Sequence, residues 1–572
     1  MEFAFVDFET TKINKHGEVR VYLWAYVKGA FKKYGYDLES FIKYVYNRKE
    51  ILFFHNLKFD FSYIQFFCLK NNIPLKILEK KGTIYNAKMG KVQFRDTLNL
   101  FPNMTLKDIG ENYCFRYKKT SIDYDVDYNH KATLTEIEYC INDCLVLQEG
   151  YNNFIANMRN ILEENGAFKA AEKADKKMTV AGIAFEAFKE LSDFDLLCPK
   201  TTLGEFNAFV KAYKGGYVFS KNLGILSNVK MLDCNSMYPF IYSTIPMPIG
   251  HPIKCNNLYA AQKYKFYIVD LMIKFELKDG YIPIIGGGIG KYGGTEYLTS
   301  SNGEWMNITV CNYDFELICE FYNCEYIVNW ACGFECKTEM FKDYCDIFIS
   351  EKKRAKGVRR LLAKVLLNSP YGKTAMNGLN ELKDYFIKEH FDENLNCFVQ
   401  SVVGELIGYT INEEIFQYIP IAIAITAGAR QHLLKTAQHI GFYRVVYMDT
   451  DSIKFIGDIP DDLWIDPDEL GAWKCEGVPA LFKTIAPKKY VYADECFICS
   501  ENGVEKGYTL HFTCAGISKK ILNERMLHNR SCCKNEAKFY INAFDSGLSL
   551  ECLQSKKVTG GRALLPIIKE IS

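Results

Sequence analysis

The chain has 572 residues, 48% of them hydrophobic and 15% aromatic, with 70 basic and 69 acidic side chains and a formal net charge of +1. That length exceeds what one core can organise, so about three to five domains or subdomains are expected, and the composition excludes a disordered chain. The balanced charge excludes a uniformly basic nucleic-acid coat, and the sequence offers neither an apolar run long enough to span a bilayer nor a basic, then apolar, leader.

The chain opens with FAFVDFETT, an alternating strand that carries Asp7 and Glu9 at i and i+2 on one face. ILFFHNLKFD ends a second apolar run with His55, Asn56, Phe59 and Asp60. IEYCINDCLVL is helical in pattern, and Tyr139 and Asp143, four apart, share a face. The carboxylates Asp7, Glu9, Asp60 and Asp143 are the set that two divalent cations about 3.5–4 Å apart need for phosphodiester hydrolysis, with Tyr139 helping to position the attacking water.

MLDCNSMYPFIYS is a strand ending in Asp233, followed by a turn and Tyr238. Six cysteines crowd Cys311 to Cys345 without the two-residue pairing of a zinc site, and Cys496 and Cys499 form a CxxC with no second half. The 21 cysteines are therefore read as small buried hydrophobes. EKKRAKGVRRLLAK, residues 351–364, holds seven basic residues and one acid, a local phosphate-binding face on a neutral chain. Read as a helix running on through VLLNSPYGK, it lines up Arg360, Lys364, Asn368 and Tyr371 on one face.

VVYMDTDSIKF, residues 445–455, places Asp449 and Asp451 one residue apart in a β-prone run that DTDS folds into a hairpin. Two carboxylates side by side repel each other unless a cation or a proton intervenes. With Asp233 as a third acid on a neighbouring strand, the set suits the two Mg²⁺ ions of a DNA polymerase palm. Asp233 and Asp451 are the expected direct ligands, Asp449 a close supporter and the Cys234 carbonyl an extra ligand. Tyr238 would stack under the deoxyribose and exclude a 2′ hydroxyl. Arg360 and Lys364 would grip the triphosphate, and Asn368 with Tyr371 would build the base-pair pocket.

The order DxE, NxxFD, YxxxD resembles the exonuclease motifs of the proofreading domain of DNA polymerases. The resemblance implies that Asn56 and Phe59 hold the unpaired primer end with help from His55, and that Thr97 and Leu98 of TLNLF form a second single-strand motif. It also implies a catalytic role for Lys119 and an auxiliary one for Tyr124, both in KKTSIDY. DxxSxYP, KxxxNSxYGK and YxDTDS are similar to family B polymerase motifs, and Lys352 matches a fingers lysine. By the same resemblance Tyr213, Gly215 and Gly216 of YKGG, Ser236, Thr426 and Arg430 of ITAGAR, and Lys488 and Tyr490 of KKY contact DNA.

The whole chain resembles the protein-primed family B DNA polymerases of small linear-genome phages. About 125 residues separate YPF from KVLLNSPYGK and roughly 50 span Ala375 to Ala424, room for that branch's two insertions. The implied fold is α/β and α+β multidomain: an RNase H-like exonuclease domain followed by a right-hand polymerase with palm, fingers, thumb and two insertions. The expected boundaries are 1–177 for the exonuclease, 178–244 and 425–514 for the palm, 245–339 and 375–424 for the insertions, 340–374 for the fingers and 515–572 for the thumb. The implied function is DNA-directed DNA synthesis with 3′-5′ proofreading, primed by a terminal protein, with two Mg²⁺ ions per site for which Mn²⁺ substitutes. DNA template and primer, deoxynucleoside triphosphates and the terminal protein are the expected partners of a monomer in the host cytoplasm, with no membrane contact. An oligonucleotide-primed enzyme and a non-catalytic DNA- or terminal-protein-binding factor are the alternatives. Two departures stand out: Pro370 replaces the usual leucine, which predicts a kink before Tyr371, and Thr513 precedes CAG in place of a basic residue.

Overall fold

The computed structural model describes residues 2–80, 82–122, 126–289, 295–500, 503–517, 522–523, 526, 528–545 and 549–570. The first strand, β1 (Glu2–Thr10), is buried on both faces. Its alternation sends Ala4, Val6 and Phe8 into one core and Phe5 into another. Around it run β2 (Val21–Lys28), β3 (Phe31–Gly35), β4 (Glu50–Phe54), β5 (Leu75–Lys80), β6 (Thr83–Met89) and β7 (Val92–Asp96), in the spatial order β3-β2-β1-β4-β7-β6-β5. The pairs β1–β4 and β4–β7 are parallel and the others antiparallel. Helix Leu57–Lys70 covers the Val6 face, and helix Leu134–Glu164 covers the Phe5 face. The second helix starts where TLTE supplies a capping box, the Thr133 hydroxyl receiving the Glu136 amide while the Glu136 carboxylate receives that of Thr133.

A second sheet is wholly antiparallel. It contains β8 (Val218–Ser220), β9 (Val229–Cys234), β10 (Val445–Asp449), β11 (Ser452–Ile456) and β12 (Trp473–Gly477), in the order β12-β9-β11-β10-β8. DTDS makes the expected β10–β11 hairpin. Leu232, Met448, Ile453 and Phe455 share one core with the long helix Ile419–Ile440. On the opposite face, Met231 and Tyr447 pack with Phe482 and Tyr490 from the next sheet.

Between β9 and β10 lie three further units. Met247–Cys255, Phe266–Leu277, Met306–Cys311 and Tyr322–Lys337 form a four-stranded sheet with helix Asn312–Phe321. Helices Lys342–Arg354 and Gly357–Asn368 pack on each other, and strands Leu379–Asp392 and Cys397–Ile411 make a long hairpin. After β12 come the sheet of Leu481–Ala486, Lys489–Ser500, Gly503–Cys514 and Ser531–Cys532, helix Lys534–Asp545, and a last hairpin, Ser549–Val558 with Gly561–Glu570. The cysteines of the crowded segment are free thiols, with Cys311, Cys332 and Cys345 buried. Among the described residues no helix is long and apolar enough to cross a membrane.

Candidate active sites

The palm-like sheet brings three acids together from two distant stretches of chain. Asp233 on β9 lies directly across from Ser452 on β11, which in turn lies across from Asp449 on β10. The Cys234 amide donates to the Asp451 carbonyl at 2.8 Å, locking the two strands at the row of acids. Burial first, then the charges of Asp451 and Glu476, push the Asp233 carboxyl up to about 7. Burial and then Asp449 and Glu476 likewise raise Asp451. Such crowding of carboxylates is the kind of charge density that a divalent cation relieves.

The turn between the acids is braced from outside. Thr450 adopts a left-handed φ of 57° and its amide donates to the Tyr217 carbonyl at 2.9 Å. Gly216 abuts that turn, because a Cβ there would come 2.5 Å from the Thr450 hydroxyl oxygen. Arg430 then fixes the loop, donating from Nη1 to the carbonyls of Lys214 and Gly215 at 2.7 and 2.8 Å. Its other nitrogens donate to Asp314 at 3.0 and 2.6 Å. Arg430 is thus buried as a clamp, and Thr426 is buried with its hydroxyl donating to the Ala422 carbonyl at 3.0 Å. Neither side chain faces solvent, so what the structure shows of both residues is inward packing. Lys488 lies 3.7 Å from Asp449, and its amide donates to the Tyr447 hydroxyl at 3.3 Å, while the Tyr490 ring sits 5.0 Å from that of Tyr447.

Beside the acids, a cleft of about 720 Å³ is lined by Lys352, Lys353, Arg360, Lys364 and Lys474, with Ser236 and Asp468. Lys352 donates to the Ser236 hydroxyl at 3.3 Å. Burial, then the neighbouring Lys364 and Arg360, lower the Lys352 pKa, so the cleft stores positive charge that a polyphosphate would neutralise. The single helical face expected from Arg360 to Tyr371 is not formed. The helix stops at Asn368, whose side-chain Nδ2 donates back to the Lys364 carbonyl at 2.9 Å, and Pro370 caps a separate 3₁₀ turn, Tyr371–Ala375. The proline thus ends the helix where a kink was expected. Tyr371 still stacks on Tyr238, with ring centroids 4.2 Å apart.

The first sheet carries the other acidic centre. Asp7 and Glu9 share the face of β1 beneath helix Leu134–Glu164, which delivers Tyr139, Cys140 and Asp143, while Asp60 comes from the first turn of helix Leu57–Lys70. Oxygens of Asp7 and Glu9 and the Cys140 sulfur lie within 4.8 Å of one another. Burial, then Asp143, raises Asp7 to about 7; burial, then Asp7 and Asp143, raises Glu9 to about 9. Burial and the Asp7 charge also raise Asp60. Asp143 Oδ1 is buried without a hydrogen-bond partner, so this donor set too fits a divalent cation. Lys119 bridges the Tyr139 hydroxyl and the other Asp143 oxygen, its ammonium 4.2 Å from the Tyr139 ring centroid. Tyr124 lies outside the described residues.

The two motifs expected to hold a single strand meet at one residue that sequence reasoning missed. Asp96 accepts from the amides of Asn56 at 3.0 Å and Leu98 at 2.9 Å, holding exposed Asn56 in a left-handed φ of 69°. His55 lies 3.0 Å from both the Thr97 hydroxyl and the Met104 carbonyl, and Phe59 packs its ring 5.8 Å from Tyr63. Glu476, Lys454 and Asp314 were also missed. Lys454 left a signal, a charge at an inward position two residues after Ser452.

A mixed α/β chain with a row of acids on an antiparallel sheet beside a basic cleft is an arrangement suited to metal-dependent phosphoryl transfer. The family described as DNA polymerase type B, organellar and viral, matches residues 42–135 and 126–403. The DNA polymerase of Bacillus phage phi29 is 30% identical over 574 residues, covering 91% of this chain and 93% of that protein. The polymerase of Bacillus phage Nf is 30% identical over 531 residues, covering 85% and 86%. The structure of phi29 DNA polymerase with primer-template DNA and incoming nucleotides superposes with a TM-score of 0.80 at 26% identity, covering 100% of both chains. The chain belongs to the type B DNA polymerases of viruses and organelles, and its activity is DNA-directed DNA synthesis.

Proposed function

We propose that this polymerase unites synthesis at Asp233, Asp449 and Asp451 with 3′-5′ proofreading at Asp7, Glu9, Asp60 and Asp143, and that it copies a linear viral genome from a hydroxyl on a terminal protein. The observation that carries the first part is the presence of two separate carboxylate clusters in one chain, one half-buried and one largely buried. Primer-template DNA and nucleotides, seen on the phi29 enzyme, are its proposed ligands.

In synthesis, Mg²⁺ ions held by Asp233 and Asp451 would supply charge neutralisation for the attacking and leaving oxygens. Lys352, Arg360 and Lys364 bind the triphosphate, and the Tyr238–Tyr371 stack forms the floor against which sugar and base are oriented. Lys488 and Tyr490 position the primer end beside Asp449. In trimming, Asn56, Phe59, Thr97 and Leu98 hold the frayed strand, and Lys119 keeps Tyr139 and Asp143 oriented toward the water.

The likeness to the phi29 enzyme favours terminal-protein priming, and in this reading the sheet within residues 247–337 and the hairpin within residues 379–411 serve as the two insertions of that branch. The test is primer extension and single-strand digestion with Mg²⁺ in parallel. Asp451→Ala should reduce extension by about three orders of magnitude and spare digestion, and Asp7→Ala should do the reverse. Loss of both activities from either change refutes the two-centre assignment. Deoxynucleotide addition to a candidate terminal protein tests priming; extension from oligonucleotides alone would replace that part of the reading.

A further inference from the structure

Lys454 is 5% exposed, and its ammonium lies 4.9 Å from the ring centroids of both Tyr447 and Tyr490 and 3.4 Å from the Ser452 hydroxyl. It occupies the same face of β11 as Ser452, whose cross-strand neighbours are Asp233 and Asp449. The side chain is therefore one row below the acids of the synthetic centre, roofed by the KKY tyrosine. A buried ammonium persists only when opposite charges compensate it. Here Glu476, Asp449, Asp233 and Asp451 oppose the depression of its pKa by burial, and Lys454 in turn lowers both Asp233 and Asp451.

We propose that Lys454 is a resident counter-ion of the synthetic centre, which holds Asp233, Asp449 and Asp451 together before any divalent cation arrives and weakens the binding of that cation when it does. The two tyrosine faces keep the ammonium in place without neutralising it, since a ring attracts a cation but accepts none of its charge. A unit charge about 10 Å from a divalent ion, at an effective dielectric of about 40, between the protein-surface and bulk-water limits, changes affinity by about tenfold or more. The inference rests on the assignment of the synthetic centre to these acids.

The test measures Mn²⁺ affinity by electron paramagnetic resonance on the full chain carrying Asp7→Ala and Asp143→Ala, which leaves the synthetic centre to bind. Lys454→Met should bind Mn²⁺ about tenfold more tightly, and Lys454→Arg should match the parent. The thermal unfolding midpoint of Lys454→Met should fall in EDTA and recover with Mn²⁺. Unchanged affinity in Lys454→Met, or equal tightening in Lys454→Arg, overturns the proposal in favour of packing alone. Should Lys454→Met fail to fold in either buffer, adding Asp449→Asn decides: recovery supports the counter-ion, and continued failure overturns it. Mn²⁺ binding that survives Asp451→Ala would instead overturn the assignment of the centre.

Discussion

Gly216 packs against Thr450 so closely that a methyl group on its α-carbon would lie 2.5 Å from the Thr450 hydroxyl oxygen and 2.9 Å from its methyl. The loop before β8 thereby supports the one left-handed residue between two acids of the synthetic centre. Gly216→Ala should cost about 1–3 kcal/mol through overpacking and slow primer extension at least tenfold, while single-strand digestion is unchanged. Adding Thr450→Gly removes the clash and tolerates the positive φ, so extension should recover in part. Parallel extension and digestion assays on the three variants check this.

The Arg430–Asp314 pair is buried and carries two hydrogen bonds, with two more from Arg430 to the loop carbonyls. Arg430→Ala leaves a buried carboxylate unpaired and should destabilise the fold by about 3–5 kcal/mol. Asp314 is held below the usual carboxylate range by Arg430 and Lys214 despite its burial, so it is charged in the parent and loses its main compensating charge in the variant. Chemical denaturation of Arg430→Ala and of the double variant Arg430→Met with Asp314→Leu should show the double variant to be the more stable of the two.

Lys119 joins the Tyr139 hydroxyl to Asp143 in the proposed trimming centre. Lys119→Ala should lower the rate of single-strand digestion by about 10²–10³ and leave extension intact. Lys119→Arg, which keeps the charge, should fall between the two. Single-turnover digestion of a labelled strand measures the series.

Asp7 and Asp233 are raised to about 7 and Glu9 to about 9, above the values near 4 of an unfolded chain. Without divalent cations, the native state then keeps protons that the unfolded state has released. The stabilisation from these raised groups is complete below about pH 4 and is lost as pH climbs through 7 and on to 9. In EDTA the unfolding midpoint should therefore drop by about 2–4 °C between pH 5 and pH 8, and Glu9→Gln should flatten the slope. Scanning calorimetry across that range, with and without Mg²⁺, provides the measurement.

Local spacing was enough to find what chemistry demands at short range. The i, i+2 acids of β1, the i, i+4 pair Tyr139 and Asp143 and the hairpin of DTDS are set by backbone periodicity, which operates over a few residues and is written directly in the chain. Pro370 was legible too, but only as a break; whether Tyr371 would still meet Tyr238 depended on the 3₁₀ turn that follows.

The sequence determined by itself which residues could form two carboxylate clusters, because acids spaced i, i+2 in an apolar run repel each other unless a cation or a proton intervenes. Only the tertiary structure decided which partners surround them. Pairing of β9 with β11 across more than 200 residues of chain set Asp233 beside Ser452, and the same register hid Lys454 beneath the acids. Burial turned Arg430 and Thr426 inward, and the carboxylate that ends β7, Asp96, joined two motifs that lie 40 residues apart. Charge, burial and strand register at these positions arise from elements remote in the chain, so periodicity within any one segment carries no trace of them.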